Sequence, residues 1–322
     1  MFECWFHVAP QASDASRLAS QPTLQRETAT LSRMPTLSTR ASGQPAVGQL
    51  LVLTDEASDS RVELAPRRGA LVTSIRVRGR ELLYLDTATL NDASKSVRGG
   101  IPVLFPSPGR LLGDAFAREG RHGALKQHGF ARNLPWTPSA TADSDRAAVT
   151  LTLVSNEQTR RDFPWDFQLE LGFTLQGAEL SIDLTVRNTG SCALPFAFGL
   201  HPYFAVTDKQ HARIDTQATR VFDNVSKTAR AFHGFDLTVP ELDLHLLDHG
   251  SSESALHLAD GACIAVRASR EFQRWVVWTL QDKDFVCLEP WTAPFDALNT
   301  GEGLLHVAPG AVHHGSVQIA LV

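Results

Sequence analysis

Residues 167–186 carry the strictest pattern in the chain. Phe167, Leu169, Leu171, Phe173 and Leu175 occupy every second position, and Gln176-Gly177 then turns the chain. Leu180, Ile182, Leu184 and Val186 resume the same alternation on the return. Successive side chains of an extended chain point to opposite faces, so this stretch buries its apolar set only as a β-hairpin with one face inward. The period recurs at Leu71, Ile75 and Val77, and at Val149, Leu151 and Leu153. It returns in the runs 263–266, 275–280 and 317–321. No long apolar stripe stands at helical spacing. Many strands separated by turn signals about every ten residues, without helices between them, predict an all-β antiparallel sandwich or barrel. The 322 residues suit one large β domain, expected over residues 46–322.

Residues 1–45 read differently. They are rich in Ser, Thr, Ala and Gln, and Arg17, Arg26, Arg33 and Arg40 are offset by Glu3, Asp14 and Glu27. The segment has no period and too little apolar surface to offset its ordering entropy, so it is expected to lie outside the fold as a disordered extension. Its composition fits a plastid-type transit segment, or a start set too early, with Met34 as the true first residue.

Composition excludes several function classes. A net charge of -5 and the lack of any Lys/Arg cluster offer nucleic acid no basic field. No apolar run has the length of a membrane span. Cys4, Cys192, Cys263 and Cys287 are scattered without a paired motif, which argues against a zinc knuckle or disulfide framework and suits a reducing, cytoplasmic setting.

Four stretches break the alternation, and loops held by a rigid sheet are where chemistry concentrates. They are residues 98–109 (RGGIPVLFPSPG), 127–136 (QHGFARNLPW), 198–204 (FGLHPYF) and 287–301 (CLEPWTAPFDALNTG). In the last, an apolar run ends on Glu289. Pro290 lacks a ladder donor, so the strand is expected to stop there and hold a carboxylate at the rim of a sheet. Such a carboxylate, desolvated on one side, suits a general base. His201 also follows an apolar run and precedes a proline, and an acid and a histidine so presented can exchange protons near neutral pH. His128 sits in a Gly-flanked turn, where it can orient a hydroxyl or cap a strand. Arg98 and Arg132 are set inside Gly/aromatic loops, and a guanidinium fork suits a phosphate or a vicinal diol. Trp136, Phe105, Trp291 and Tyr203 are candidates for an apolar platform under a sugar ring.

Other constellations fail. His245 and His249 stand four apart, but the residues between them lack the glutamate of a metalloprotease helix, and His313-His314 reads as a solvated pair. There is no nucleophile elbow, no phosphate-binding Gly-Lys-Ser/Thr and no dinucleotide fingerprint, so neither metal nor cofactor is implied.

Taken together, Arg98-Gly-Gly-Ile-Pro, His128-Gly-Phe-Ala-Arg-Asn, Leu200-His-Pro-Tyr-Phe and Glu289-Pro-Trp-Thr-Ala-Pro with Asn299-Thr-Gly resemble the aldose 1-epimerase (galactose mutarotase-like) family. They are most similar to its glucose-6-phosphate, or hexose-6-phosphate, 1-epimerase branch. The resemblance runs from about residue 46 to the C-terminus, with the motifs in the family's order, and implies a β-supersandwich. It implies His201 as general acid, Glu289 as general base and His128 as a ligand of sugar hydroxyls. In the sugar-phosphate branch it implies Arg98 and Arg132 as phosphate ligands. A further hydroxyl-binding aspartate is expected between the third and fourth motifs. Asp243 is the best candidate, with Asp236 and Asp248 nearby. The loop after Phe105 lacks an aromatic that many relatives carry.

The implied reaction is anomer interconversion. Glu289 takes the anomeric proton, protonated His201 gives one to the ring oxygen, and the open aldehyde rotates and recloses. On this reading a neighbouring carboxylate should raise the pKa of His201. The expected partner is a small sugar or sugar phosphate, and a monomer is expected. The alternatives are a mutarotase for neutral aldoses and a non-catalytic carbohydrate-binding or sensing module on the same fold.

Overall fold

The alternation places the strands well. In the computed structural model, which describes residues 35–140 and 146–322, the predicted hairpin is formed by strands Phe167–Gln176 and Glu179–Asn188. Gln176 pairs with Glu179, and Gly177 takes a φ of 61° in the two-residue turn, a conformation that glycine adopts without a Cβ penalty. The hairpin is the middle of an eight-stranded sheet. Ala147–Val154 and Thr137–Ala140 extend it on one side, and Val312–Leu321, Cys263–Ala268, Glu253–His257 and Arg213–Ile214 on the other.

A second sheet runs in the order Thr228–Ala231, Arg220–Asp223, Glu241–Leu246, Arg274–Leu280, Phe285–Trp291, Gly199–Leu200, Val103–Leu104. Tyr203–Ala205 also pairs with Phe285–Trp291. A third, five-stranded sheet is a meander from Thr36–Ala41 to Arg80–Glu81. Every pairing between these strands is antiparallel, as in a sandwich rather than a βαβ fold. Leu169, Phe173, Leu184 and Ile319 of the first sheet share one apolar cluster with Leu244, Trp275, Val277 and Leu288 of the second. Among the described residues, no helix is long and apolar enough to cross a membrane.

Two expectations change. Residues 1–34 of the segment assigned outside the fold lie outside the described residues, but Thr36–Ala41 is a strand paired in register with Gln49–Asp55. The polar look of Thr36–Ala41 reflects its place at a sheet edge, with most of its residues exposed. Its first residue moves the start of the domain about ten positions upstream.

Pro290, expected to stop its strand, lies inside it, because Phe285–Trp291 continues through Trp291. One flank of that strand is served by two short strands, Gly199–Leu200 against Trp291 and Tyr203–Ala205 against residues 285–287. Residues 288–290 face the break between them, at His201-Pro202. A proline is tolerated in a sheet where the flank is open.

Candidate active site

Three neighbouring strands of the second sheet set the site by register. Leu242, Leu244 and Leu246, Trp275 and Val277, and Val286 and Leu288 all point into the main core. Their alternates therefore point the other way. Across the three strands His245 is opposite Val276 and Val276 opposite Glu289, while Asp243 is opposite Trp278 and Trp278 opposite Cys287. Tyr203 flanks Cys287. This second face floors a cavity of about 780 Å³, a volume that suits a small-molecule ligand.

His201 enters the cavity at the break beside Glu289. Its imidazole stacks on Tyr203 at 4.6 Å and meets Trp278 edge-on at 5.8 Å. His201 Nδ1 lies 3.3 Å from Glu289 Oε1, yet the two are not aligned for a hydrogen bond and the nitrogen has no other partner among the described residues. Glu289 is 1% exposed, and its Oε2 accepts a hydrogen bond from Trp291 Nε1 at 3.1 Å. Burial pushes the Glu289 carboxyl well above the usual carboxylate range, with Asp243 adding to the rise, while the indole bond and Arg132 oppose it. His201 moves the opposite way. Burial, helped by His128, Arg132 and Arg98, holds it well below the usual imidazole value. The expected upward shift of His201 is therefore reversed, because desolvation and three nearby cationic or ionisable groups outweigh the one raising influence, a backbone hydrogen bond. Both shifts favour the uncharged pair.

The predicted binding residues converge on the same cavity. His128 holds a positive φ of 74°, uncommon for a side-chain-bearing residue, and its Nδ1 donates to the Pro108 carbonyl at 2.6 Å. That bond leaves Nε2 as an acceptor in the neutral ring. Burial and then Arg132 push the His128 pKa down to about 3. Arg132 donates from its terminal nitrogen to the Val97 carbonyl at 2.8 Å, while its buried Nε has no partner among the described residues. Arg98 is exposed on the same wall, and its side chain makes no hydrogen bond or ion pair among the described residues. Lys95, Ser96, Thr89 and Gln127 complete that wall.

The opposite wall settles which aspartate reaches the cavity. Asp243 lines it, and Asn224 donates to its Oδ2 at 2.6 Å while Lys227 donates to Asn224 at 2.7 Å. Asp236 and Asp248 are instead surface turn residues, bonded to Thr238 and Thr219 respectively. His245, set aside in the sequence as half of a failed metal pair, lines the cavity 3.6 Å from Asp243. The alternation Glu241-Leu-Asp-Leu-His-Leu was the signal that puts Asp243 and His245 on one strand face. His249 lies elsewhere, bonded to Thr216.

Trp291 and Tyr203 line the cavity as expected of a platform. Trp136 and Phe105 do not: both are buried in the main core, with the Trp136 indole donating to the Ala131 carbonyl. Ligand atoms of His201, Cys287 and Glu289 lie within 4.8 Å of one another, a spacing a metal ion could use. Burial raises the Cys287 thiol well above its usual range, so a cation there would have to displace protons from both the thiol and Glu289. The donor set fits a resident metal poorly.

A site with a carboxyl–imidazole pair on its floor, cationic groups on one wall and a bonded aspartate on the other can exchange protons with a polar ligand. Comparison with known proteins agrees in kind. The family profile described as "Aldose 1-epimerase" matches residues 51–320. A protein of Cenchrus ciliaris named "Putative glucose-6-phosphate 1-epimerase" is 29% identical over 249 residues, covering 73% of this chain and 70% of that one. An Escherichia coli K12 protein of the same name is 35% identical over 161 residues, covering 49% of this chain and 50% of its own. Among solved structures, the Slr1438 protein of Synechocystis sp. PCC 6803 superposes with a TM-score of 0.82 at 38% identity, covering 84% of this chain and 95% of that one. A galactose mutarotase related enzyme of Lactobacillus acidophilus, 20% identical with a TM-score of 0.67, covers 82% of this chain and 94% of its own, and shares the fold.

Proposed function

The chain belongs to the aldose 1-epimerase family, an isomerase family acting on sugars, and we propose that it interconverts the α and β anomers of a hexose 6-phosphate. The observation that carries this reading is that one cavity joins the His201–Glu289 pair to a wall bearing Lys95, Arg98 and Arg132. A phosphate dianion recruits such cations through charge-assisted hydrogen bonds, and of the three Lys95 is paired with Asp92 and Arg132 is bonded to the Val97 carbonyl, whereas Arg98 has no side-chain partner among the described residues. The names of the Cenchrus and Escherichia proteins support the same substrate class.

In the proposed reaction the Glu289 carboxylate takes the proton from the anomeric hydroxyl, and the His201 imidazolium gives one to the ring oxygen. The C1–ring oxygen bond breaks, leaving the open-chain aldehyde, a protonated Glu289 and a neutral His201. Rotation about C1–C2 presents the other carbonyl face. On reclosure Glu289 returns its proton to the carbonyl oxygen and His201 takes one from the attacking hydroxyl. The cycle alternates between a charged and an uncharged pair, and burial favours the uncharged one. His128 and Asp243 hold ring hydroxyls, and Trp291 and Tyr203 supply apolar surface.

A second reading, mutarotation of neutral aldoses, draws on the bond that already occupies Arg132 at the Val97 carbonyl. Polarimetry of freshly dissolved α-anomer separates the readings. Faster relaxation of glucose 6-phosphate than of glucose supports the first, the reverse order the second, and no acceleration of either leaves a binding module.

A further inference from the structure

Each oxygen of the Glu289 carboxyl has a different neighbour. Oε1 faces His201 Nδ1 at 3.3 Å, and Oε2 accepts the indole N–H of Trp291 at 3.1 Å. An indole nitrogen is a donor only. Oε2 must therefore present a lone pair to Trp291 whatever the charge of Glu289. A protonated carboxyl oxygen is the poorer acceptor, so the indole bond favours the proton on Oε1.

We propose that Trp291 is the positioning residue of the acid–base pair, its indole N–H holding Oε2 as an acceptor so that proton exchange during catalysis runs preferentially through Oε1. The inference rests on the reading of Glu289 as the base. Without the indole, the carboxyl could rotate and protonate on the oxygen turned away from the substrate, a state that cannot complete the cycle.

The sequence builds this contact locally. Glu289 and Trp291 are two residues apart on one strand, hence on one face, and Trp291 is held there between Gly199 and Arg274 in the ladder. The indole lies directly over Gly199: a methyl group there would come within 2.7 Å of Trp291 Cδ1 and 3.0 Å of Pro108 Cβ. The rings of His128 and His245 meet it edge-on at 6.1 Å and 5.3 Å. The N–H direction is thus fixed by packing on three sides.

The groups facing Glu289 are Asp243 from the Glu241–Leu246 strand, His201 from the break after Gly199–Leu200, Tyr203, Arg132, and Cys287 on its own strand. Burial and Asp243 favour the protonated carboxyl, whereas Arg132 and the indole favour the carboxylate. Among the described residues no other hydrogen bond reaches the carboxyl.

The test is the pH dependence of kcat and kcat/KM for anomer interconversion in Trp291→Phe and Gly199→Ala, with Glu289→Gln in parallel. Phenylalanine keeps a ring in the slot but deletes the donor, and the methyl at Gly199 displaces the indole while leaving its N–H intact. We expect kcat to fall roughly ten-fold in both and the acidic limb of kcat/KM to move up by about one pH unit. A purely structural indole would lower the yield of folded enzyme without moving that limb. If Glu289→Gln is inactive and neither variant moves the limb, the positioning role is wrong. If Glu289→Gln stays active, the underlying reading of Glu289 fails instead. Should Trp291→Phe not fold, as judged by circular dichroism, the limb in Gly199→Ala decides.

Discussion

The His201 imidazole stands 3.3 Å from the Glu289 carboxyl with no hydrogen bond between them. In a buried pair that gap is informative, because an orphaned buried nitrogen costs free energy unless a ligand satisfies it. Both residues line the cavity, and the proposed reaction uses both. The two groups then act as one unit that holds a single proton.

That unity has a kinetic signature. His201→Asn should reduce anomer interconversion on the order of 10²-fold, as for loss of a positioned acid. The double variant His201→Asn/Glu289→Gln should be little slower than either single variant, because each alone breaks the cycle. Multiplicative losses, measured by steady-state kinetics on folded variants, would show two groups working independently.

The arginines should discriminate between substrates. Arg98 has no side-chain partner among the described residues, whereas Arg132 is already bonded to the Val97 carbonyl. Arg98→Ala is therefore expected to raise KM for glucose 6-phosphate by roughly ten- to hundred-fold and KM for glucose by little. Arg132→Ala should do the same with an added loss of stability. Lysine should restore only part of either, since a point charge lacks the fork. Equal effects on both sugars would move the neutral-aldose reading ahead.

Stability should depend on pH through the cavity histidines. His128 and His245, burial being the first cause for each, titrate in the folded protein at about 3 and about 4, against roughly 6.5 unfolded. Their folded values are lowered, so the stability they contribute is present above pH 6.5 and is lost as pH falls towards those values, about 2 kcal/mol each by pH 5. Glu289, whose folded value is raised, works the other way: its contribution is present at low pH and is lost as pH rises through its folded value. Thermal melts between pH 7 and 5 should therefore fall less steeply for His245→Gln than for the wild type, and more steeply for Glu289→Gln. Parallel curves for all three would contradict the assigned shifts.

What the sequence made legible follows from period two. The hairpin at residues 167–186 and the runs near 149, 263, 275 and 317 are strands because their apolar residues alternate. The same rule applied to residues 241–246 would have placed Asp243 and His245 together, but helical spacing to His249 drew attention to the wrong pair. Pro290 misled in the opposite direction, because only the tertiary break at His201-Pro202 explains a proline inside a strand. Trp136 and Phe105 look like Trp291 in the sequence; which face an aromatic occupies is decided by register, not by identity. The shift of His201 was out of reach, since it sums burial with His128, Arg132 and Arg98, all distant in the chain.

The domain boundary is also testable. A chain beginning at Pro35 is expected to keep the activity and the thermal midpoint of the full chain. One beginning at Gly43 loses the Thr36–Ala41 strand and the Arg40–Glu63 ion pair, and leaves Gln49–Asp55 as a bare edge. A loss of about 1–2 kcal/mol would lower its midpoint by roughly 2–8 °C. Identical melting of the two truncations would mean that the edge strand adds nothing.

In the proposed function Glu289 drives exchange between the anomers of a sugar phosphate. Magnetisation-transfer NMR on an equilibrated mixture of α- and β-glucose 6-phosphate reads that exchange directly, with no coupling enzyme. The wild type should accelerate exchange well beyond the spontaneous rate, more for glucose 6-phosphate than for glucose, and Glu289→Gln should return it to the spontaneous rate. Exchange no faster with the wild type than without it, or equally fast with the folded Glu289→Gln variant, would rule out this role for Glu289.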